Sequence, residues 1–169
     1  MMKVIFIDRD DTIIINKDYL DTPDGIEFLP NAMKGMRALM DKGYTLILVT
    51  NQSGIGRGYF TLETLNAIHA RLCELLGEEG VKFEKIYFCP HRPDEHCHCR
   101  KPGTGMLEQA CKDYDIDLKN SVMIGDSEGD MKMAKAFGIK AIQVTYGIRD
   151  PLPDADVVCK DILEASDNL

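Results

Sequence analysis

No apolar run in the 169 residues approaches the roughly 20 residues that a membrane-spanning helix needs. The opening MMKVIFID carries one lysine and about five apolar residues before Asp8, too few for the apolar region of a secretory signal. Basic residues are short as well. Lys and Arg number 20 against 28 Asp and Glu, a formal charge of −8, which argues against nucleic acid or an anionic membrane as partner. A local gathering of cations can still hold a small anion. Internal repeats, low-complexity tracts and dividing linkers are also missing, so one domain over residues 1–169 is expected, large enough for a filled core. Together these absences point to a cytoplasmic protein, in which six cysteines are thiols or metal ligands rather than disulfides. Nothing in the sequence demands more than a monomer.

What is present alternates. Short apolar runs at 4–7, 45–49, 83–88, 122–124 and 141–144 read as strands buried on both faces. Between them lie helical stripes: Met33, Met36, Leu39 and Met40, stopped by Gly43; Leu62 to Leu76, with Thr61 as N-cap; Met106 to Tyr114; and Met131 to Phe137, ended by Gly138. A weak strand near 156–158 and a helix over 160–165 finish the chain. Such alternation predicts an α/β fold, a three-layer Rossmann-like parallel sheet with helices on both faces. Two longer connections, 14–29 and 90–104, interrupt the rhythm.

In open α/β sheets, ligands bind beyond the carboxyl ends of the strands. Here those ends read Asp8-Arg9-Asp10-Asp11-Thr12, Thr50-Asn51-Gln52-Ser53 and Gly125-Asp126-Ser127-Glu128-Gly129-Asp130. One acidic triplet alone is an ordinary solvated turn, and acids opening a helix complement its dipole. Two such clusters at equivalent strand ends point instead to a hard cation, since carboxylates repel until an ion neutralises them. Mg²⁺ takes oxygen ligands, one or two carboxylates with water and substrate phosphate.

DRDDT, VTNQS, RKP and GDSEGD, in that order, resemble the four motifs of the haloacid-dehalogenase (HAD) phosphatases across nearly the whole chain. The resemblance implies a HAD-like fold and an aspartyl-phosphate mechanism. It makes Asp8 the nucleophile and Asp10 the acid that protonates the leaving alcohol and then activates water. It gives Mg²⁺ to Asp8, the Asp10 backbone carbonyl and Asp126. Thr50 and Lys101 become the phosphate cradle, and Asp130 orients a metal-bound water or Lys101. These roles are chemically sound. Residues two apart on an extended segment share a side, and covalent catalysis divides one displacement into two. Asp11 departs from the family, which usually has glycine there; an extra carboxylate beside the phosphate is expected to weaken anion binding or add a metal contact, and the lost glycine removes backbone freedom at the turn, with activity retained.

The segment CPHRPDEHCHCRKP holds three of the six cysteines and three of the four histidines. C-x-H, five residues, then C-x-C supplies four borderline ligands suited to tetrahedral Zn²⁺, while no C-x-x-C redox pair occurs. Cys89, Cys97 and Cys99 are the sulfur ligands; on spacing alone the nitrogen belongs to His91, His96 or His98. Resemblance to the zinc-bearing branch of the family selects His91. Four protein ligands make a structural zinc, stabilising the loop that presents Arg100 and Lys101. The remaining thiols and His69, beside a leucine-rich stripe, read as packing or boundary residues.

TNQSGIGRGYF, with the zinc-type loop and RKP, is similar to the family of D-glycero-D-manno-heptose 1,7-bisphosphate 7-phosphatases. That resemblance implies a small-molecule phosphate ester as partner. It implies sugar contacts from Asn16, Lys17, Asp18 and Tyr19, from Thr50, Asn51, Gln52 and Ser53, and from Arg100. Gly54, Gly56 and Gly58 are expected to let backbone approach an anion, with Arg57 as a second cation. Histidinol-phosphate phosphatases share the zinc loop and all four motifs but usually lack the SGI-x-RG pattern. Neither family has a large cap domain, and this chain has no insertion long enough to build one. Readings of other classes are a receiver-like phosphoacceptor, which lacks the second aspartate and the zinc loop, and a zinc-based nucleic-acid module, which needs a basic face.

Overall fold

Phe6 and Ile7 both have zero exposure although they point to opposite faces, so the strand they share must be covered twice. The computed structural model, which describes residues 1–169, shows how. Six parallel strands form one sheet: β1 (Val4–Ile7), β2 (Thr45–Asn51), β3 (Phe83–Cys89), β4 (Val122–Gly125), β5 (Lys140–Val144) and β6 (Val157–Cys159). Their order is β3-β2-β1-β4-β5-β6. Ile5 and Ile7 join the apolar cluster on one face, while Val4 and Phe6 join the other.

Five helices follow one another as α1 (Ala32–Asp41), α2 (Leu62–Glu78), α3 (Gly105–Asp113), α4 (Glu128–Phe137) and α5 (Ile162–Asp167), and α1, α2 and α5 cover the first face. The second face is covered by α3 and α4. The helix ends follow local chemistry. Thr61 Oγ1 accepts the Thr64 N–H at 3.1 Å to open α2, and Gly138, at φ 81°, closes α4. Asp161 caps α5 by accepting the Glu164 N–H, so that helix begins at Ile162, two residues later than the apolar stripe suggested.

One expectation fails at the sheet edge. The run 83–88 reads as buried on both faces, yet Glu84 and Lys85 are exposed, because β3 pairs only with β2. The long connections carry nothing larger than single 3-10 turns at Pro23–Gly25 and Pro93–Glu95, and no cap unit stands over the strand ends. The sheet order reverses between β1 and β4, and the crevice at such a switch point is where this architecture places ligands.

Candidate active site and metal-ligand clusters

Asp8 follows β1 and Asp126 follows β4, and their side chains meet at that crevice. Carboxylate oxygens of Asp8, Asp126 and Asp130 lie within 4.8 Å of one another, with all three residues buried. Lys101 Nζ stands among them, 2.7 Å from Asp8 Oδ1, 2.7 Å from Asp130 Oδ1 and 3.0 Å from the Val49 carbonyl. Burial alone would lower the Lys101 pKa, but Asp130 and Asp8 override it, and the ammonium is held above its ordinary value. Burial, then the charges of Asp8 and Asp130, push the Asp126 carboxyl up to about 9. Burial and Asp8 likewise raise Asp130. Three carboxylates face the Lys101 ammonium and, at Asp126, a guanidinium of Arg149 that is shared with Asp11, so negative charge remains uncompensated, the donor set and electrostatics that a hard divalent cation fits.

Asp130 belongs to α4 and to the site at once. Its Oδ2 accepts from the backbone N–H of Asp126 and Ser127 and from the Ser127 hydroxyl, while Oδ1 holds Lys101. Ser127 in return accepts the Asp130 N–H, a capping box that fixes the carboxylate on the first helical turn. A Cβ on Gly125 would lie 2.4 Å from Asp130 Oδ2, so only glycine lets the helix start this close. Of the two tasks expected for Asp130, the structure shows it on Lys101.

Asp10 lies apart from the three-carboxylate group. Its oxygens accept from the fully buried Arg9 guanidinium at 3.0–3.1 Å and from Gln52 Nε2 at 3.1 Å. Gln52 Nε2 also donates to Thr50 Oγ1 at 2.9 Å. A cavity of about 240 Å³ opens over Asp10, lined also by Arg9, Asn16, Asp18, Tyr19, Leu20, Asn51, Gln52 and Ser53. Most of the expected sugar-contact residues therefore face one space.

Several do so with their polar atoms already engaged. Gln52 is committed to Arg9, Asp10 and Thr50, and Asn51 Oδ1 accepts the Lys101 N–H at 3.0 Å. Ser53 accepts from Arg57 Nε at 3.2 Å, and Arg57 stacks 5.7 Å above the Tyr19 ring at the rim. Lys17 leaves the group: its ammonium pairs with Glu27 at 2.6 Å, and it does not line the cavity. Arg100 lines a neighbouring concavity with Lys101, and its Nη1 is buried without a partner, an open donor for an anion. Two of the glycines have a packing role as well. Cβ atoms would lie 2.1 Å from the Phe60 ring at Gly54 and 2.7 Å from the Pro90 carbonyl at Gly56. Gly54 and Gly56 let the turn pack, while Gly58, at φ 77°, has open space beside it.

Asp11 has a φ of 59°, in the left-handed region that glycine enters most easily and aspartate tolerates, so the turn holds with an aspartate in it. Asp11 Oδ1 accepts the Asn16 N–H, and Oδ2 pairs with Arg149 at 2.8 Å. Arg149 reaches Asp126 Oδ2 as well, at 2.9 Å. No motif or periodicity pointed to Arg149. Thr12, whose hydroxyl donates to Asp126 Oδ1 at 3.1 Å, was visible only as the end of the DRDDT motif.

Beyond β3, Cys89, His91, Cys97 and Cys99 bring one ligand atom each within 4.8 Å of the others. His91 Nδ1 is 3.4 Å from Cys89 Sγ and 3.2 Å from Cys99 Sγ. His98 instead pairs with Glu108, and His96 sits exposed at φ 51°, so His91 is the histidine in the cluster. Burial would raise the Cys97 thiol, but the Arg100 N–H and its sulfur and imidazole neighbours bring it down to about 7. Burial raises the Cys89 and Cys99 thiols instead, and it is the meeting of three thiols and an imidazole that makes a donor set compatible with zinc.

Comparisons with known proteins agree with this geometry. A family profile described as HAD-hydrolase-like matches residues 98–165. The chain is 38% identical to the D-glycero-β-D-manno-heptose-1,7-bisphosphate 7-phosphatase of Pseudomonas aeruginosa over 94% of its length and 93% of the relative's. It is 39% identical to the Helicobacter pylori protein of the same name, over 98% and 96%. The crystal structure of D,D-heptose 1,7-bisphosphate phosphatase from B. bronchiseptica, complexed with magnesium and phosphate, superposes with a TM-score of 0.90 at 34% identity, covering 99% of this chain and 97% of that one. The chain belongs to the HAD-like phosphatases, in the branch shared by these relatives.

Proposed function

We propose that this phosphatase removes the 7-phosphate of D-glycero-D-manno-heptose 1,7-bisphosphate through a phosphoryl group carried on Asp8. Lys101 between Asp8 and Asp130 carries the conclusion. Their 2.7 Å contacts set a fixed cation against one face of the Asp8 carboxylate, beside a cavity that holds Asp10.

An Asp8 oxygen attacks phosphorus, and the bond from phosphorus to the sugar oxygen breaks. Asp10 gives its proton to that departing oxygen. Asp10 then takes a proton from water, whose oxygen attacks phosphorus, and the Asp8–phosphorus bond breaks to release phosphate. Lys101 and the Thr50 hydroxyl hold the phosphoryl oxygens, where charge is spread during transfer. Asp8, the Asp10 carbonyl and Asp126 would hold Mg²⁺, which supplies charge neutralisation between carboxylate and phosphate. Asn16, Asp18, Tyr19 and Ser53 would contact the sugar, with Arg57 and Arg100 meeting the far phosphate. Cys89, His91, Cys97 and Cys99 would hold a structural Zn²⁺ with no open position.

The enzyme is read as one domain over residues 1–169, a cytoplasmic monomer with no nucleic-acid or membrane partner. The formal charge of −8 supports that reading, and no helix is long and apolar enough to cross a membrane. The substrate assignment is tested by comparing kcat/KM for heptose bisphosphate, histidinol phosphate and simple sugar phosphates with Mg²⁺. Heptose bisphosphate should lead by at least about tenfold, roughly the discrimination a few extra contacts supply. A lead by histidinol phosphate would reverse the assignment, and self-phosphorylation without turnover would mark a receiver-like domain.

A further inference from the structure

His69 is the one histidine outside the cysteine loop, and the chemistry above makes no use of it. It lies on α2 with 6% exposure, on the buried face with Leu65, Ile68 and Leu72. Its Nε2 is 3.1 Å from Arg9 Nη1. A guanidinium only donates, so Nε2 accepts, and the ring is neutral with its proton on Nδ1. Burial, then the Arg9 charge, lowers the His69 pKa to about 3, in keeping with that state.

Arg9 is the largest of the fully buried side chains, at 1% exposure. A buried guanidinium must be both paired and hydrogen-bonded to stay where it is. Two edges of its fork are taken by Asp10 and by Gln52 Oε1, the latter at 3.2 Å. The remaining edge meets His69. Asp10 follows Arg9 directly and accepts from it through both oxygens, so a turn of the guanidinium would carry the carboxylate with it.

We propose that His69 is a positioning residue for catalysis: it locks Arg9, and Arg9 holds the Asp10 carboxylate at the angle from which it serves the leaving oxygen. The inference rests on the reading of Asp10 as acid and base. It places a determinant of the chemical step on the inner face of a helix that contributes no residue to the cavity over Asp10.

His69→Asn and His69→Gln separate positioning from packing, because both are amides and differ in reach. The Gln oxygen lies where Nε2 does and can accept from Arg9; the Asn oxygen falls short. The readout is kcat/KM of the Mg²⁺-loaded enzyme for an alkyl phosphate, whose leaving group needs a proton, and an aryl phosphate, whose leaving group does not. His69→Asn should lose about tenfold on the alkyl ester and less than about twofold on the aryl ester, a fraction of the full contribution of a positioned acid. His69→Gln should stay within about twofold of the parent on both, since it restores the acceptor. Equal losses on the two esters, or equal behaviour of the two variants, would overturn the proposal. Asp10→Asn is run beside them. If its loss is selective for the alkyl ester and that of His69→Asn is not, only the His69 inference fails; if its own loss is uniform, the Asp10 reading fails and takes the inference with it.

Discussion

The chain gathers potential metal ligands twice, and the two clusters are built in opposite ways. The Asp8, Asp126 and Asp130 cluster stands on the ends of neighbouring parallel strands and the first turn of α4, wholly buried, with Lys101 already neutralising part of it. The Cys89, His91, Cys97 and Cys99 cluster hangs on an irregular loop, and three of its four residues are partly exposed. A sheet and a capping box position the first without help. The second has only one strand residue, Cys89, and a single 3-10 turn to hold it. On the proposed reading the carboxylates would use an ion for chemistry, and the thiols would use one for shape. The two meet at Cys99-Arg100-Lys101, where the loop delivers its cation to the crevice.

On that division, damage to the crevice should remove activity without removing the fold. Asp8→Asn should lower turnover by at least about 10³-fold, because it deletes the proposed nucleophile while keeping shape. Folding is checked by thermal melting beside the assay. Lys101→Met should lower kcat/KM by about 10²-fold, the usual cost of one preorganised charge on the transferring group. It should also destabilise the protein by about 3–5 kcal/mol, since Asp130 would be left buried and unpaired.

The loop should behave the other way. Chelation of its metal, followed by return of Mg²⁺ alone, should lower turnover about tenfold while sheet and helix signals in circular dichroism persist. Hydrogen exchange should quicken over residues 89–104 and stay unchanged in β1 and β4. Uniform loss of protection would show the loop to be part of the global fold.

Much of the crevice was legible beforehand because its residues sit where hydrophobic periodicity stops. Val4–Ile7 runs into Asp8, and Val122–Gly125 into Asp126, so the pattern that marks a buried strand also marks its carboxyl end. Arg149 was not legible. It lies 138 residues from Asp11 and beyond β5, in a turn with no pattern of its own, and only tertiary structure brings the two together. Arg9 and His69 were hidden differently. Arg9 reads as a charge in a polar turn, and His69 falls beside a leucine stripe that explains it as packing. The packing role of Gly54 and Gly56 was hidden because composition cannot tell a glycine needed for tight packing from one needed for ligand contact.

Two smaller effects sharpen the contrast between rigid crevice and adaptable periphery. His69 titrates near 6.5 when unfolded and at about 3 when folded, so between those values the unfolded chain binds more protons. Its contribution is complete above pH 6.5 and is lost as pH falls, by about 1.4 kcal/mol per unit down to about 3. Denaturant melts at pH 7 and 5 should show His69→Gln losing less stability than the parent over that interval. Asp11→Gly restores the residue usual in the family at a φ glycine accepts, and breaks a partly exposed pair with Arg149. Turnover should stay within about threefold and stability within about 1 kcal/mol. A larger loss would make the Arg149 bridge part of the rigid crevice.

Transfer of phosphorus onto the carboxylate that ends β1 is tested most directly by stopping the reaction with acid during turnover and mapping the protein by mass spectrometry. One phosphoryl group should be found on the peptide carrying Asp8, and none on the Asp8→Asn protein. Steady product release with an unmodified Asp8 peptide, or with the group on any other residue, would contradict it.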